Sequence, residues 1–294
     1  MPRGPSFLPP PDGSRDPRID DPTNRWLIHL LGRLLLPLAL RFRVSANAVS
    51  VTGLILGAAA AWSYLDWRDE NRALLGFLLC IAWLIADGLD GMIARATATA
   101  SPLGRILDGL CDHGVFCLLY VALAHSIGTW EAWGLGALAG IAHAVQSTLY
   151  EGERVRFHRR RRGDPGEMRR TISRNPLVRL YDAVALAPDR WSEPFDAMLR
   201  NARDPERVGR IYCDAAVPAL KPMWALSANM RILAIFLACL AGNPLLFFWL
   251  ELVPLSLVLV IGLLWHRNIE KRMVRAYGNG RSTSAAFDPP PTHI

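Results

Sequence analysis

The sequence predicts an all-α integral membrane protein with six transmembrane helices, preceded by an N-terminal interfacial amphipathic helix. Three observations lead to this prediction. About half of the 294 residues are hydrophobic. They are arranged in blocks of roughly 20 residues, the length that crosses a bilayer. The basic residues collect in alternate connections between those blocks, as expected for a chain that crosses a membrane several times.

The charge and the cysteine pattern narrow the class further. The formal net charge is +7, and the basic residues flank apolar blocks without interleaved aromatic residues. This pattern favours contact with anionic lipid headgroups and argues against nucleic acid as a partner. The five cysteines contain no CxxC pair, so neither a zinc site nor a disulfide framework is indicated.

The N-terminal region divides into two segments. Residues 1–24 are rich in Pro, Gly, Asp and Arg, which predicts a disordered cytoplasmic segment without the apolar core of a signal peptide. Residues 25–42 predict a juxtamembrane amphipathic helix that lies on the membrane. A soluble amphipathic helix packed on a partner is the alternative for this segment. Its polar stripe recurs every four residues: Arg25, His29, Arg33, Pro37 and Arg41.

Six spans follow within a membrane catalytic domain predicted at residues 43–278. The spans are expected at about residues 46–65, 72–95, 102–124, 129–149, 223–241 and 244–266. Ser45 or Asn47 is a candidate N-cap for the first span, and Ser101-Pro102 reads as the turn that begins the third. Residues 150–221 form a long cytoplasmic loop that either caps the site or contacts lipid. Residues 279–294 predict a disordered tail.

The distribution of basic residues predicts the orientation. Residues 1–44 contain seven Arg, and the loop 150–221 contains fifteen Arg and one Lys. The connections on the opposite side contain only Arg68 and Arg72. Both termini and the long loop are therefore expected in the cytoplasm. We expect the inner (cell) membrane of a bacterium, with the active site facing the cytoplasm.

Four aspartates lie in and between the second and third spans. Carboxylates are costly in a membrane, so Asp87, Asp90, Asp108 and Asp112 are candidates for a functional site. Asp87 and Asp90 are i, i+3 neighbours, and Gly104, Asp108 and Asp112 form an i, i+4, i+8 column. Two helices joined by a short turn could direct all four into one pocket. Such a pocket suits two Mg²⁺ or Mn²⁺ ions and phosphoryl transfer.

Two other classes of membrane protein also use buried acids. A transporter with a buried acidic ion site or proton relay is the main alternative from another class. A membrane prenyltransferase would need a second, separate aspartate box, and the sequence contains none.

The full spacing is more specific than the aspartates alone. It reads Asp87-x2-Asp90-Gly91-x2-Ala94-Arg95-x8-Gly104-x3-Asp108-x3-Asp112 and resembles, at every fixed position, the signature of the CDP-alcohol phosphotransferases (the CDP-alcohol phosphatidyltransferase family). The similarity extends coarsely over residues 25–278 and implies the same helical fold and a homodimer. This chain has Ala46-Asn47 where the family often has Pro-Asn.

The resemblance implies a role for each motif position. Asp87, Asp90, Asp108 and Asp112 would bind metal, and Asp112 would also act as the general base. Gly91 and Gly104 would allow close approach of the cytidine nucleotide, and Arg95 would reach one of its phosphates. The set implied for CDP binding is Asp87, Gly91, Ala94, Arg95, Gly104 and Asp108.

Two directions of transfer fit the motif. In the first, a phosphatidyl group passes from CDP-diacylglycerol to a polar alcohol of the inositol phosphate, glycerol phosphate, inositol or serine type, releasing CMP. In the alternative, a soluble CDP-alcohol donates its phospho-headgroup to a diacylglycerol or ceramide hydroxyl. A surplus of guanidinium groups favours the first, because an acceptor with its own phosphate would need them. The candidate acceptor-binding residues are Arg105, Arg154, Arg156, Asn229 and Arg231. Contact with lipid headgroups is the simpler role for these arginines.

Overall fold

The computed structural model describes residues 16–99, 102–166 and 189–278, without the side chains of Arg25, residues 101–108, Leu110 and Gly278. Throughout this part of the chain the structure is helical, with no strand. The prediction of an all-α protein is therefore confirmed.

Ten α-helices account for most of the described residues. They are α1 (His29–Arg41), α2 (Ala46–Tyr64), α3 (Glu70–Ala96), α4 (Pro102–Ile127), α5 (Trp130–Arg161), α6 (189–200), α7 (Pro205–Leu220), α8 (Ala228–Leu240), α9 (Leu245–Leu250) and α10 (Ser256–Gly278). Short π-helical turns cover Asn24–Ile28 and Glu251–Leu255, and a 3₁₀ turn covers Lys221–Leu226. Ser45 caps α2 as predicted, since its hydroxyl accepts a hydrogen bond from the Ala48 N–H at 3.2 Å.

The chain divides into two compact units. The first contains residues 1–146 and 224–257, and the second contains residues 147–223 and 258–294. The motif lies in the first unit, whose described helices are α1 to α4, the first half of α5, α8 and α9.

The core of the first unit is built around close packing of α2 against α3 and α4. A Cβ atom at Gly57 in α2 would lie only 2.9 Å from Val115 Cβ in α4, so the two backbones approach each other closely there. Trp83 of α3 meets Phe116 of α4 edge-on, with 5.4 Å between ring centroids. These contacts fix the helices that carry the aspartates relative to α2.

Three helices are long and apolar enough to cross a membrane: Ala46–Tyr64, Glu70–Ala96 and Leu245–Tyr277. The bent pair Pro205–Leu226 and Ala228–Leu240 passes as a fourth if it is counted as one span. Only described residues enter this count, and the apolar part of α4 within them, Cys111–Ile127, is shorter. The chain is thus a helical membrane protein, with three to four of the six expected spans recognised.

The N-terminal region differs in part from its predicted disorder. Residues 1–15 lie outside the described part of the chain, but Asp21 is 1% exposed and accepts a hydrogen bond from the Ser227 hydroxyl at 2.5 Å. Asp21, Thr23 and Asn24 therefore hold this segment on the start of α8 by hydrogen bonds to Ser227 and Asn229. The side chain of Ile19, which is 1% exposed, adds an apolar anchor. In α1, the small residues Gly32 and Ala39 are buried, whereas Leu34 and Leu38 are exposed.

The second unit contains much of the predicted loop 150–221. Its apolar core includes Phe157 of α5, Phe195 of α6 and Tyr212 of α7, all at most 1% exposed. A Cβ atom at Gly209 would clash with the Arg160 carbonyl oxygen, so α7 crosses α5 with backbones in contact. Residues 167–188, within the same predicted loop, lie outside the described residues.

Candidate active site

The first half of the motif lies in the last three turns of α3. Asp90 is 5% exposed, and Asp87 is half-buried. The Ser50 hydroxyl of α2 donates a hydrogen bond to Asp90 Oδ2 at 2.5 Å. Ser50 was not among the residues predicted from the sequence, because its partner lies forty positions away and a serine in an apolar helix carries no signal.

Gly91 and Arg95 are adjacent on the same helix face. A Cβ atom at Gly91 would lie 3.2 Å from Arg95 Nη1, so the exposed guanidinium group of Arg95 folds back over the glycine. The helix ends at Ala96, and the Thr99 N–H donates to the Ala94 carbonyl oxygen at 3.0 Å. The guanidinium group of Arg95 and the open face of Gly91 therefore lie side by side.

The second half of the motif begins α4. Asp112 is half-buried and follows the buried Cys111. His113 is exposed, and its Nδ1 lies 2.8 Å from the Gly109 carbonyl oxygen. The side chains of Gly104, Arg105 and Asp108 lie outside the described set.

The carboxylates can be compared with the needs of a metal ion. Among the described side chains, no three His, Cys, Asp or Glu residues lie close enough together to hold a metal. Asp108, the fourth predicted ligand, is not part of that set. The donors that the motif offers are all carboxylate oxygens, the type that Mg²⁺ and Mn²⁺ prefer. The chemistry of the donor set fits these ions, and the pocket of four carboxylates stays a prediction.

Arg231, a candidate for binding the acceptor substrate, forms hydrogen bonds to other side chains and to a carbonyl group of the first unit. Its side chain is 1% exposed, and its Nε donates to both carboxylate oxygens of Glu251 at 3.0 and 3.1 Å. Nη2 donates to Gln146 Oε1 at 2.6 Å, and Nη1 donates to the Leu226 carbonyl oxygen. Glu251 was not among the residues predicted from the sequence. It is an isolated acid in an apolar span, twenty residues after an isolated arginine, and this pattern is a signal for such a pair.

Asn229 is another candidate for binding the acceptor substrate, and it forms hydrogen bonds with the N-terminal segment. Its amide donates to Thr23 Oγ1 at 2.7 Å and to Asn24 Oδ1 at 3.1 Å.

Arg154 and Arg156, in the second unit, also face carboxylates. Arg154 Nη1 donates to Glu151 at 2.8 Å. Arg156 is 3% exposed; its Nη2 donates to Glu153 Oε1 at 2.7 Å and its Nη1 donates to Asp189. Burial works to lower the pKa of Arg156, but the Glu153 and Asp189 carboxylates outweigh it and raise that pKa. The protein thus supplies its own counter-charges to this arginine.

Fold and site together define a helical membrane protein with carboxylates near the facing ends of two apolar helices. Residues 43–162, which contain the whole motif, match the family described as CDP-alcohol phosphatidyltransferase. This segment is a CDP-alcohol phosphatidyltransferase domain, and the resemblance read from the motif is confirmed.

Three curated relatives match part of the chain. Human cholinephosphotransferase 1 is 29% identical over 99 residues, which are 31% of this chain and 24% of the relative. The Xenopus laevis cholinephosphotransferase 1 is 29% identical over 122 residues, 39% of this chain and 27% of the relative. The Bos taurus protein is 30% identical over 99 residues, 31% of this chain and 24% of the relative. The matched stretch is therefore about a quarter of each relative's length.

Proposed function

We propose that this chain is a phosphotransferase that moves a phospho-headgroup from a soluble CDP-alcohol to a lipid hydroxyl, with release of CMP. The observation that carries the proposal is the eight-position motif inside the matched segment 43–162. The names of the curated relatives, all cholinephosphotransferases, favour this direction of transfer over a CDP-diacylglycerol donor.

The arginine contacts support the same direction. An acceptor with its own phosphate was expected because guanidinium groups near the site could bind that phosphate. Arg231 is buried against Glu251, and freeing it would leave that buried carboxylate without its arginine partner. Arg156 is buried against Glu153 and also contacts Asp189, so its charge is already matched within the protein. The acceptor proposed here, a lipid hydroxyl such as that of diacylglycerol or ceramide, carries no phosphate and needs neither arginine.

The proposed reaction assigns a role to each motif residue. Asp112 takes the proton of the acceptor hydroxyl, whose oxygen forms a bond to the β-phosphorus of the CDP-alcohol. The bond from that phosphorus to the oxygen bridging to CMP breaks, and CMP leaves. Gly91 leaves space beside the Arg95 guanidinium, which is placed to bind a phosphate of the nucleotide.

The metal assignment follows from the donor set. Asp87, Asp90, Asp108 and Asp112 would hold two Mg²⁺ or Mn²⁺ ions. When bound, these ions would neutralise phosphate oxygens and stabilise the departing CMP. A general base must act near neutral pH, and the surrounding charges would tune Asp112 for that task.

The proposed architecture completes six spans within residues 43–278. In addition to the helices that qualify by length and apolarity, α4 and the first part of α5 would cross the membrane. The leucines exposed on α1 would contact lipid at the interface. The positive loops would face the cytoplasm of a bacterial cell, and the enzyme would be a homodimer.

The test measures CMP release from purified protein with Mg²⁺ or Mn²⁺. One arm offers CDP-choline with diacylglycerol or ceramide. The other offers CDP-diacylglycerol with serine, inositol, inositol phosphate or glycerol phosphate. We expect CMP in the first arm, and we expect Asp112→Asn to reduce the rate by about 10²-fold or more, as for loss of a general base.

Asp66→Asn is the matched control, because Asp66 is an exposed carboxylate outside the motif. It should retain the wild-type rate. CMP release only in the second arm would reverse the direction of transfer. No CMP in either arm would favour the transporter, and an unchanged rate in Asp112→Asn would remove Asp112 as the base.

A further inference from the structure

A cleft on the first unit lies between α4 and α5 and is not used by the proposed chemistry. Its volume is about 380 Å³, within the range of roughly 300–1,000 Å³ that holds small ligands. Its walls are almost entirely apolar, and Val121 and Ile141, which line it, are 50% and 64% exposed. The cleft therefore opens onto the surface of helices that the proposed six-span arrangement embeds in lipid.

The floor of the cleft is formed by small residues of α5. Gly136, Gly140 and Ala144 line it at i, i+4 and i+8, so they share one face of the helix. A Cβ atom at Gly140 would meet no atom within 4 Å, which means that the space above this glycine is empty. The absence of a side chain at Gly140 keeps this part of the cleft open, whereas a Cβ atom at Gly136 would lie 3.3 Å from the Phe248 ring.

One end of the cleft lies next in sequence to Asp112, the proposed general base. His113, which follows Asp112, lines one end near His143, with 6.3 Å between the two rings. Ala124 lines the other end, eleven positions further along α4. At about 1.5 Å per residue, the cleft is about 16 Å long. One leaflet of a bilayer has a hydrocarbon depth of about 15 Å.

We propose that this cleft binds an acyl chain of the lipid substrate and directs its polar end toward Asp112. The inference rests on the proposed function and adds the recognition of the lipid. An amphiphile fits because imidazoles stand at the Asp112 end and apolar side chains line the remainder. A chain one leaflet long, anchored in this way, would place its hydroxyl-bearing end beside the general base.

Gly140→Leu is the variant that tests the cleft, because the leucine side chain would enter the empty space. Gly134→Leu is the matched control: it lies on the same helix, also has no atom within 4 Å of its Cβ position, and does not line the cleft. The probe is a diacylglycerol with a diazirine on one acyl chain, and the cross-linked peptides are identified by mass spectrometry. Unlabelled diacylglycerol and CDP-diacylglycerol are compared as competitors. The one that reduces the labelling identifies the lipid whose acyl chain occupies the cleft.

We expect adducts on α4 and α5 in the wild type and in Gly134→Leu, and loss of most of them in Gly140→Leu. The KM for the lipid should rise about tenfold in Gly140→Leu, the effect of displacing roughly two methylene groups from an apolar site. The KM for the CDP-alcohol should stay unchanged. Equal labelling of the two glycine variants would overturn the proposal.

A second copy of the chain is the competing occupant. Cys117 lines the cleft and is exposed, whereas the other four cysteines are buried. Efficient disulfide cross-linking between copies through Cys117 would show that the cleft faces a partner, and this also overturns the proposal. Photolabelling requires no turnover, so it tests the cleft independently of activity. Absence of CMP release would refute the proposed function, whereas the lipid adducts would still decide whether the cleft binds an acyl chain.

Discussion

At the scale of single residues, the site depends on contacts that the motif spacing does not contain. Asp90 is nearly buried and accepts a hydrogen bond from Ser50, which lies in the second turn of α2. A hydrogen bond of this kind fixes the orientation of a carboxylate and adjusts its basicity. Ser50 is therefore expected to be a positioning residue for Asp90, a proposed metal ligand.

Ser50→Ala is predicted to raise the Mg²⁺ or Mn²⁺ concentration for half-maximal activity by about tenfold, since loss of such supporting partners typically costs 10–100-fold in metal affinity. The measurement is a metal titration of CMP release. The control is Ser63→Ala in the same helix, because the buried Ser63 hydroxyl donates only to the Ala59 carbonyl oxygen at 3.0 Å in the described contacts. A metal requirement that moves equally in both variants would contradict the role of Ser50.

At the scale of elements, the position of α4 depends on how closely it approaches α2. The two helices lie close together at Gly57, because the space for its Cβ is filled by the branched side chain of Val115. A β-branched residue has little freedom to move aside. Any added atom must separate the helices and displace Asp112, which lies three positions before Val115 on α4.

Gly57→Ala is predicted to destabilise the protein by about 1–3 kcal/mol, the usual cost of overpacking a core. Gly134→Ala should instead be neutral or stabilising by about 0.5–1 kcal/mol, because alanine is the better helix former and the site is open. Thermal unfolding in detergent compares the two. A stable Gly57→Ala protein with full activity would mean that α2 and α4 separate at no cost.

At the scale of the whole molecule, a buried ionic cluster connects the helices of the second unit. Glu153 of α5, fully buried, contacts His266 Nδ1 at 2.6 Å, Arg156 at 2.7 Å and also Arg267. Burial by itself would raise the pKa of Glu153, but His266, Arg267 and Arg156 outweigh it and hold the pKa well below its usual range. The carboxylate is thus ionised at neutral pH.

The cluster predicts a defined pH dependence of stability. Because the pKa of Glu153 is depressed in the folded state, its contribution is complete above the ordinary value of about 4.5 and is lost as the pH falls toward the folded pKa. Glu153→Gln should cost about 3–5 kcal/mol at neutral pH, since it leaves buried cations without their partner. The difference between variant and wild type should shrink below pH 4.5.

Unfolding midpoints measured across pH check this prediction. Glu206→Gln serves as the control, because Glu206 is 72% exposed and its contact with Arg210 is 3.7 Å long. Such surface pairs contribute about 0–1 kcal/mol. A Glu153→Gln penalty that does not change with pH would exclude the Glu153 carboxylate as its source.

The helical class, the approximate limits of α2 and α3, and the motif that the family match confirms could all be predicted from the sequence, which also narrowed the cap of α2 to Ser45 or Asn47. These features depend on local periodicity and fixed spacing, which a single segment contains. The tertiary structure decided which groups meet across long separations: Ser50 with Asp90, forty positions apart, and Arg231 with Gln146, eighty-five apart.

The arginines show why contacts between residues far apart in the sequence could not be predicted from it. A buried guanidinium needs a counter-charge, and sequence alone cannot say whether a ligand or the protein supplies it. For Arg231 and Arg156 the fold brings in Glu251 and Glu153. The cleft that begins at His113 likewise exists only because α4 and α5 pack side by side. The motif, whose residues are close together in the sequence, could therefore be predicted from the sequence. The arginine partners and the cleft, which depend on residues that are brought together by folding, could not.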